Sequence, residues 1–247
     1  MKLFLSLFLL LGLSLSAKEL TTVFSYSTPP YVFKSGEGIV MSIVKESLAH
    51  KGYTIKPVFV TIGRALEMFK HNQVDATSII KKSSGLDAFY SDYFMQYHNA
   101  VFSLSNRHYN ITDIDQLTDF NIIAFQNADK YLGKKFFDMT KRSGKKYVEL
   151  GDQAQQVLLL LKGRTDLVVM DRHIFKYYKN KYIKDGLIPK NTKTDMFELF
   201  EPTQLRTAFK SKKIRDDFNE GIKFLRDTGR FDEIYEEFSK AYFEVKK

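Results

Sequence analysis

The chain of 247 residues contains no cysteine, and it has only 5 histidines and 5 prolines. The absence of cysteine excludes a disulfide framework and a lipid anchor on an N-terminal cysteine. No HExxH motif or paired-carboxylate ligand spacing is present, so nothing supports a metal centre. A glycine-rich phosphate loop is also absent. We therefore expect neither a metal nor any other cofactor.

The first 17 residues differ from the rest in being almost entirely apolar or small. Lys2 is followed by LFLSLFLLLGLSLSA, which ends at Ala17. A positive start, a short apolar stretch and a small residue before Lys18 are typical of a secretory signal peptide. The run is shorter than the roughly 20 residues that a membrane-spanning helix needs, although an uncleaved anchor is the alternative. We predict that residues 1–17 are a cleaved signal peptide and that the protein is periplasmic.

Basic residues outnumber acidic ones by 38 to 29, which gives a formal net charge of +9. In a cytoplasmic protein such an excess would suggest nucleic acid as a partner. Export argues against that, and the longest basic run is KSKK at 210–213. We expect a solvated, lysine-rich surface that can attract an anionic ligand or an anionic membrane surface, and no nucleic-acid partner.

Strand and helix patterns alternate along the chain, which predicts βαβ units and parallel sheet. A hydrophobic fraction of 44% is enough for a proper core. The strand patterns are at 21–26, 54–60, 74–80, 121–125, 146–150, 165–171 and 203–210. The helix patterns are at 38–52, 63–72, 129–144, 152–163, 172–180, 212–229 and 230–247, and 184–195 is polar and rich in turn residues.

One internal echo appears. LEMFKHNQVDATSII begins at Leu66 with a helix, makes a polar turn and enters a strand at Asp75. VLLLLKGRTDLVVMD follows the same plan from Val157 to Asp166. The echo favours two similar lobes with a cleft between them, and two ordinary βα units of one sheet are the alternative.

The stretch YSTPPYVF at 26–33 places two prolines among aromatic residues, directly after the first strand pattern. Prolines stiffen a loop by fixing φ and removing donors. The aromatic rings on this loop either pack into the core or form a surface for a small ligand.

Several segments together resemble the bacterial extracellular solute-binding proteins of family 3, the periplasmic type that serves amino-acid ABC importers. The segments are PPYVF at 29–33, RALEMFKHNQVDA at 64–76, FYSDYF at 89–94, TDLVVMDRHIFKYY at 165–178 and FNEGIKFLRDTGRFDEIYEEF at 218–238. The third segment lacks the proline that the family has there. The resemblance runs over nearly the whole chain after Ala17 and rests on the order and spacing of the segments.

The resemblance implies an α/β, bilobal periplasmic-binding-protein type II fold, with two lobes joined by two hinge strands and a ligand cleft between them. Lobe one would comprise 18–102 and lobe two 103–202, while 203–247 would supply a return strand and the C-terminal helices of lobe one. The crossing segments would be 98–106 and 203–210. A monomer is expected.

The resemblance also implies where a ligand binds. The loop after the first strand would lie at the cleft mouth, so Tyr26 and Tyr31 become candidate cleft walls, with core packing as the alternative for Tyr31. The family's ammonium-binding aspartate corresponds to Asp171, for which capping of the following helix is the alternative. The family's carboxylate-binding arginine corresponds to Ser84. Arg64 is the nearby guanidinium that would replace it, with a surface position on the helix as the alternative.

Lobe two offers a second anion site after the strand pattern at 121–125. Free backbone N–H groups at a helix start bind carboxylates, and QNAD at 126–129 opens a helix pattern. We predict that Gln126 points into the cleft and that Asn127 belongs to the site, with helix capping as the alternative for Asn127.

The implied function is capture of a small polar solute, an amino acid or a related compound, for an ABC permease in the inner membrane. Because the family's carboxylate-binding arginine is missing, a peptide, an amine or another organic anion stays open as the identity of the solute. One alternative is a ligand-binding unit that acts in trans on a sensor. Another is an enzyme similar to cyclohexadienyl dehydratases, with an acid drawn from Glu198, Glu201, Asp171 or His173. We favour binding without catalysis.

Overall fold

The computed structural model describes residues 18–25, 28–33 and 35–243, so the predicted signal peptide and Tyr26 lie outside the described residues. The strands are β1 Lys18–Ser25, β2 Tyr53–Val60, β3 Ala76–Ile80, β4 Phe89–Tyr90, β5 Met95–Tyr97, β6 Asn99–Leu104, β7 Ile122–Phe125, β8 Tyr147–Leu150, β9 Leu167–Asp171, β10 Thr194–Phe197 and β11 Thr203–Phe209. The helices are α1 Ile39–Ala49, α2 Ile62–Lys70, α3 Ala128–Tyr131, α4 Lys134–Ser143, α5 Gln153–Leu161, α6 Arg172–Lys184, α7 Lys212–Asp227 and α8 Arg230–Phe243. Short 3₁₀ helices cover Lys82–Ser84, Ser105–Arg107, Ile114–Asp119 and Gly144–Lys146. None of the helices in the described ranges is long and apolar enough to cross a membrane.

The strands form two separate sheets. Sheet one has the order β2-β1-β3-β11-β4, with β5 also paired to β11, and sheet two has the order β10-β6-β9-β7-β8. In each sheet three neighbouring strands are parallel: β2, β1 and β3 in sheet one, and β9, β7 and β8 in sheet two. The predicted α/β architecture with two lobes is therefore what the chain adopts.

The chain passes between the sheets twice. It leaves sheet one after β5 and enters sheet two at β6, with only His98 between them. It returns through residues 198–202, between β10 and β11. The lobe boundaries predicted after residues 102 and 202 stay predictions.

The sequence echo has a common structural cause in the two lobes. The Asp75 carboxylate accepts a hydrogen bond from the Thr21 N–H at 2.8 Å, and the Asp75 N–H donates to the Thr21 carbonyl at 2.8 Å. In sheet two the Asp166 carboxylate accepts from the Asn121 N–H at 3.0 Å, and the Asp166 N–H donates to the Asn121 carbonyl at 3.2 Å. Each aspartate directly precedes a strand, β3 or β9, and therefore pairs the start of that strand with its parallel neighbour.

Helices cover both faces of each sheet, so the central strands are apolar on both sides. Along β9, Leu167 and Val169 pack into one core cluster while Val168 and Met170 pack into another, because successive side chains of a strand point to opposite faces. The cluster that receives Val168 and Met170 continues into lobe one, where it includes α1, α7 and part of α8.

Helix α7 lies very close to α1 at a single small residue. A Cβ atom added to Gly221 would collide with the backbone carbonyl of Ser47. Glycine is required here for the close approach of two backbones rather than for its own φ angle.

The predicted helix over 129–144 is wrong in one respect, because it is two helices. Helix α3 ends at Tyr131, and α4 begins at Lys134 after Gly133, whose φ is 91°. This φ lies in the left-handed region, which glycine enters without steric cost. The end of the turn-rich stretch 184–195 also differs from the prediction, since β10 begins at Thr194 and pairs with β6.

Candidate functional site

A cavity of about 280 Å³ lies between the two sheets. Five of its lining residues mark the ends of parallel strands: Ser25 ends β1, Thr61 follows β2, Ile79 lies near the end of β3, Phe125 ends β7 and Gly151 follows β8. Ligands of α/β proteins bind at the carboxyl ends of parallel strands, which makes this cavity the candidate ligand site. The other lining residues are Thr28, Tyr97, Asn99, Gln126, Tyr131, Asp152, Gln153, Thr203 and Leu205.

The two crossing segments contribute one wall of the cavity. Tyr97 and Asn99 lie on either side of His98, where the chain first crosses, and Thr203 and Leu205 come from β11. The Asn99 amide donates to the Thr203 hydroxyl at 3.5 Å, which links the two segments inside the site. Residues of a hinge therefore line the cavity, so a ligand there would contact both lobes and the hinge.

Gln96 and His98 alternate with Tyr97 and Asn99 along the chain. Their side chains face away from this cavity, because side chains of an extended chain alternate in direction. Gln96 and His98 line a second cavity of about 310 Å³, together with Tyr31, Arg172 and His173 among others. The hinge segment thus separates two cavities of similar volume.

The lining of the interlobe cavity is aromatic and polar but nearly uncharged. Tyr97, Phe125 and Tyr131 provide rings, and hydroxyl and amide groups provide most of the hydrogen-bonding capacity. Asp152 is the one formally charged side chain among the lining residues that the structure describes. Its Oδ1 accepts from the Gln155 N–H at 3.1 Å, because Asp152 is the N-cap of α5.

Ile79, which lines the interlobe cavity, adopts a strained backbone conformation. Its φ is 58°, in the left-handed region that a β-branched residue rarely enters. The pairing of β3 with β11 shifts register at this level, between Arg206 and Ala208. Such conformations cost about 1–3 kcal/mol and tend to occur at functional sites, and Ile79 lines the cavity.

The backbone amides at the start of α3 already hold a carboxylate from the protein itself. Glu149 of β8 accepts hydrogen bonds from the N–H groups of Asn127, at 2.7 Å, and Asp129, at 3.0 Å. The Tyr147 hydroxyl donates to the same carboxylate at 2.7 Å. Burial, and then this bond to Glu149, raises the pKa of Tyr147. The helix start that could receive a ligand carboxylate is therefore engaged by Glu149.

Lys81 connects the lobes beside the cavity. Its ammonium group, which follows β3 in lobe one, donates to the carbonyl of Tyr131 in lobe two at 2.9 Å. The same group lies 5.5 Å from the centroid of the Tyr131 ring. Partial burial lowers the pKa of Lys81. The contact bridges the cleft directly at a lining residue.

Asp171 lies at the centre of a buried hydrogen-bond cluster outside the interlobe cavity. As the N-cap of α6, it accepts from the N–H groups of His173 at 2.9 Å and Ile174 at 3.1 Å. It also accepts from the His98 N–H at 2.9 Å and from the Tyr31 hydroxyl at 3.1 Å. The helix-capping alternative for Asp171 is thus present in the structure, and its role toward a ligand stays a prediction.

Burial displaces the pKa values of Asp171 and His173 in opposite directions. Burial raises the pKa of Asp171 to about 6, against four hydrogen bonds that lower it. Burial lowers the pKa of His173 to about 4, and the positive charge of Arg172 adds to the effect. The Tyr31 hydroxyl lies 2.9 Å from Nδ1 of His173 and so touches both titrating groups.

Tyr31 is only 1% exposed and packs on Tyr97, with ring centroids 5.0 Å apart. Core packing, the alternative weighed for this residue, therefore describes its environment. Phe33 of the same loop packs on Tyr177 and Phe238. The proline loop of lobe one is thus connected to the start of α6, because the Tyr31 hydroxyl donates a hydrogen bond to the N-cap residue Asp171.

The remaining predicted site residues are spread around the cleft. Gln126 lines the cavity, while Arg64, Ser84 and Asn127 do not. Arg64 is exposed in the first turn of α2, and the Ser84 hydroxyl lies 3.0 Å from that of Tyr90. The ligand-binding roles of all these residues, and of Tyr26, stay predictions.

Sequence reasoning missed most of the residues that line the cavity. Ser25, Thr61 and Gly151 follow or end parallel strands, so the rule about carboxyl ends could have found them. Whether Tyr97 and Thr203 line the cavity depends on the direction in which each side chain points at the hinge. No sequence pattern indicates that direction.

The fold is similar to that of many solved proteins. An ancestral arginine-binding protein bound to arginine is 16% identical, with a TM-score of 0.73 over 90% of this chain and 99% of that one. A histidine kinase sensor domain with similarity to periplasmic binding proteins is 14% identical, with a TM-score of 0.72 over 90% and 96%. The ancestral amino acid-binding protein AncCDT-1, a precursor of cyclohexadienyl dehydratase, is 16% identical, with a TM-score of 0.67 over 89% and 95%.

No protein-family model matches this chain. No curated protein matches it either. At the identities of the structural matches, the likeness establishes the fold. The protein has the bilobal type II fold of periplasmic binding proteins, as the sequence predicted. The predicted resemblance to extracellular solute-binding proteins is confirmed for the fold.

Proposed function

We propose that this protein is a periplasmic solute-binding protein of family 3, which captures a small polar solute and delivers it to an ABC permease. Export through the signal peptide at residues 1–17 and action as a monomer belong to the same proposal. The lobes would close on the solute by a hinge motion about the two crossing segments.

The observation that carries the proposal is the position of the cavity. It lies between two sheets, at the carboxyl ends of parallel strands from both, and hinge residues form part of its wall. A site built this way couples ligand contact to lobe closure, because Thr61 of one lobe and Gln126 of the other touch the same space. Binding of amino acids by proteins of the same fold supports the choice of solute size.

A thermal-shift screen of the purified protein tests the proposal. The panel contains amino acids, amines, dipeptides, sugars and organic acids. A solute at about one hundred times its Kd adds about 2.7 kcal/mol to the free energy of unfolding, which gives a clear rise in Tm. A saturable rise with one chemical class supports the proposal. No rise with any class at millimolar concentration would contradict it.

The second candidate function is ligand binding in trans to a sensor, because a histidine kinase sensor domain shares the fold. Deletion of the gene separates the two. Loss of uptake of the identified solute supports the importer. Intact uptake together with a lost transcriptional response to that solute supports the sensor.

Catalysis on the same fold receives less support from the site. The acids considered for a dehydratase are absent from the described lining of the interlobe cavity: Glu198, Glu201, Asp171 and His173. The lining acid is Asp152, which caps a helix. Incubation with prephenate and with arogenate, followed by product analysis, should show no turnover.

A further inference from the structure

The second cavity, which we call the rear cavity, lies on the side of the first crossing segment opposite the interlobe cavity. It has a volume of about 310 Å³, and Gln96 and His98 of the crossing segment face it. Tyr31 follows β1 of lobe one, Arg172 and His173 begin α6 of lobe two, and all three line the rear cavity. Both lobes and the hinge therefore form its walls, as they form those of the interlobe cavity.

Two tyrosines form part of the partition between the cavities. Tyr97 lines the interlobe cavity and Tyr31 lines the rear cavity, and their ring centroids are 5.0 Å apart. A rotation of the lobes about the crossing segments moves the walls of both cavities at once. Because the partition lies between the cavities, a rotation that narrows the interlobe cavity widens the rear cavity, and the reverse rotation does the opposite.

The lobes touch each other on both sides of this partition. On the side of the interlobe cavity, the Lys81 ammonium donates to the Tyr131 carbonyl at 2.9 Å. On the rear side, the Tyr31 hydroxyl lies 2.9 Å from Nδ1 of His173. The first contact resists opening of the cleft, and the second resists widening of the rear cavity. Opposed contacts thus set the lobe angle, and at that angle the rear cavity has space for a larger side chain.

We propose that the rear cavity controls the affinity of the interlobe cavity through the lobe angle: a group that fills the rear cavity prevents its collapse, keeps the cleft narrow and strengthens binding of the solute. This inference rests on the proposed function, because it concerns the solute of the same cleft. The apparent Kd equals the intrinsic Kd divided by the fraction of molecules that are competent to bind. A filled rear cavity raises that fraction before any solute arrives.

Gln96→Trp is the variant that fills the rear cavity. Gln96 is half-buried in β5 and lines the cavity, so the indole ring enters space that the structure leaves open. Tyr235→Ala is the opposite variant, because Tyr235 of α8 lines the same cavity and its removal lets the rear walls approach. Tyr235→Leu replaces it if Tyr235→Ala does not fold. Gln73→Trp is the matched control, since Gln73 is exposed and absent from the described lining of both cavities.

The lobe angle can be measured without any solute, because the chain has no cysteine of its own that would react with a label. Glu67→Cys in α2 and Lys130→Cys in α3 place two nitroxide labels at exposed positions, one in each lobe. These helices flank the cleft, since α2 follows Thr61 and α3 ends at Tyr131, and both of these residues line the interlobe cavity. Pulsed electron spin resonance gives the distribution of distances between the labels.

The three variants should move this distance differently in the solute-free protein. Gln96→Trp should shorten the mean distance, Tyr235→Ala should lengthen it, and Gln73→Trp should leave it unchanged. A distance that is unchanged in both rear-cavity variants, or that moves in the same direction in both, would overturn the inference.

Titration calorimetry with the solute found in the screen provides the second readout. Gln96→Trp should bind that solute about threefold more tightly than the wild type does, and Tyr235→Ala about threefold more weakly. Affinities that do not follow the label distances overturn the inference and leave the solute-binding function standing. Absence of binding by every solute of the panel overturns the proposed function, and the label distances then decide by themselves whether the rear cavity sets the lobe angle.

Discussion

Asp171 and His173 should make opposite contributions to the pH dependence of stability. Burial raises the pKa of Asp171 from 3.8 to about 6. The folded protein therefore takes up this proton before the unfolded chain does. The stabilising contribution is fully present below about pH 3.8 and is lost as the pH rises through about 6.

His173 behaves in the reverse way. Burial lowers its pKa from 6.5 to about 4, so the unfolded chain takes up this proton first. Its contribution is present above about pH 6.5 and is lost as the pH falls through about 4. The two windows nearly coincide, and the two contributions largely cancel in the wild-type protein.

The magnitudes follow from the size of each displacement. A difference of about 2 pH units for buried Asp171 corresponds to about 3 kcal/mol, at 1.36 kcal/mol per unit. His173 is only partly buried, and screening by solvent reduces its contribution to about 2 kcal/mol. The difference between the two, about 1 kcal/mol, is what remains across the window.

Single substitutions should expose each contribution. We expect the unfolding free energy of Asp171→Asn, minus that of the wild type, to fall by about 3 kcal/mol between pH 7 and pH 3. The corresponding difference for His173→Gln should rise by about 2 kcal/mol over the same range. The assay is equilibrium denaturation in urea at half-unit pH steps. Difference profiles that are flat, or that slope in the same direction for both variants, would refute the reasoning.

Two further predictions concern contacts that hold the fold together. Lys81→Met removes the ammonium bond to the Tyr131 carbonyl, so we expect a more open pair of lobes, seen as a larger radius of gyration in small-angle scattering; an unchanged radius would show that this contact does not hold the cleft closed. Gly221→Ala forces a methyl group against the Ser47 carbonyl and should cost about 1–3 kcal/mol of unfolding free energy. Gly63→Ala, in open space on α2, is its matched control, and an equal loss in both variants would contradict the close approach of α7 to α1.

The fold could be predicted from the sequence because its signals are local. Alternating patterns marked the parallel strands, and the echo of Asp75 and Asp166 marked equivalent strand starts in two lobes. Gly133, which divides the helix pattern at 129–144, is itself a local signal. A glycine in a polar stretch could have predicted the helix break, because glycine adopts the left-handed φ that the structure shows at this position.

The site could be predicted only in part, because its contacts join distant parts of the chain. The Tyr31 hydroxyl meets Asp171 from 140 residues away, and Lys81 meets Tyr131 from 50 residues away. Such contacts depend on how the lobes are oriented. Glu149 also lies in a short strand pattern, where nothing local distinguishes an internal carboxylate from a surface one.

The central claim is that the interlobe cavity binds the solute, and a variant that fills the cavity tests it most directly. Gly151 lines the cavity without a positive φ, and its nearest neighbour for an added Cβ is the Gln126 side chain at 3.6 Å. Gly151→Leu should therefore fold normally and occupy the site, with Gly63→Leu as the control outside the lining.

The measurement is a calorimetric titration of wild type and both variants with the solute found in the screen. The account predicts one-to-one binding by the wild type and by Gly63→Leu, and a loss of at least a hundredfold in Gly151→Leu with its Tm maintained. Equal affinity in a folded Gly151→Leu protein would place the solute elsewhere and contradict the account.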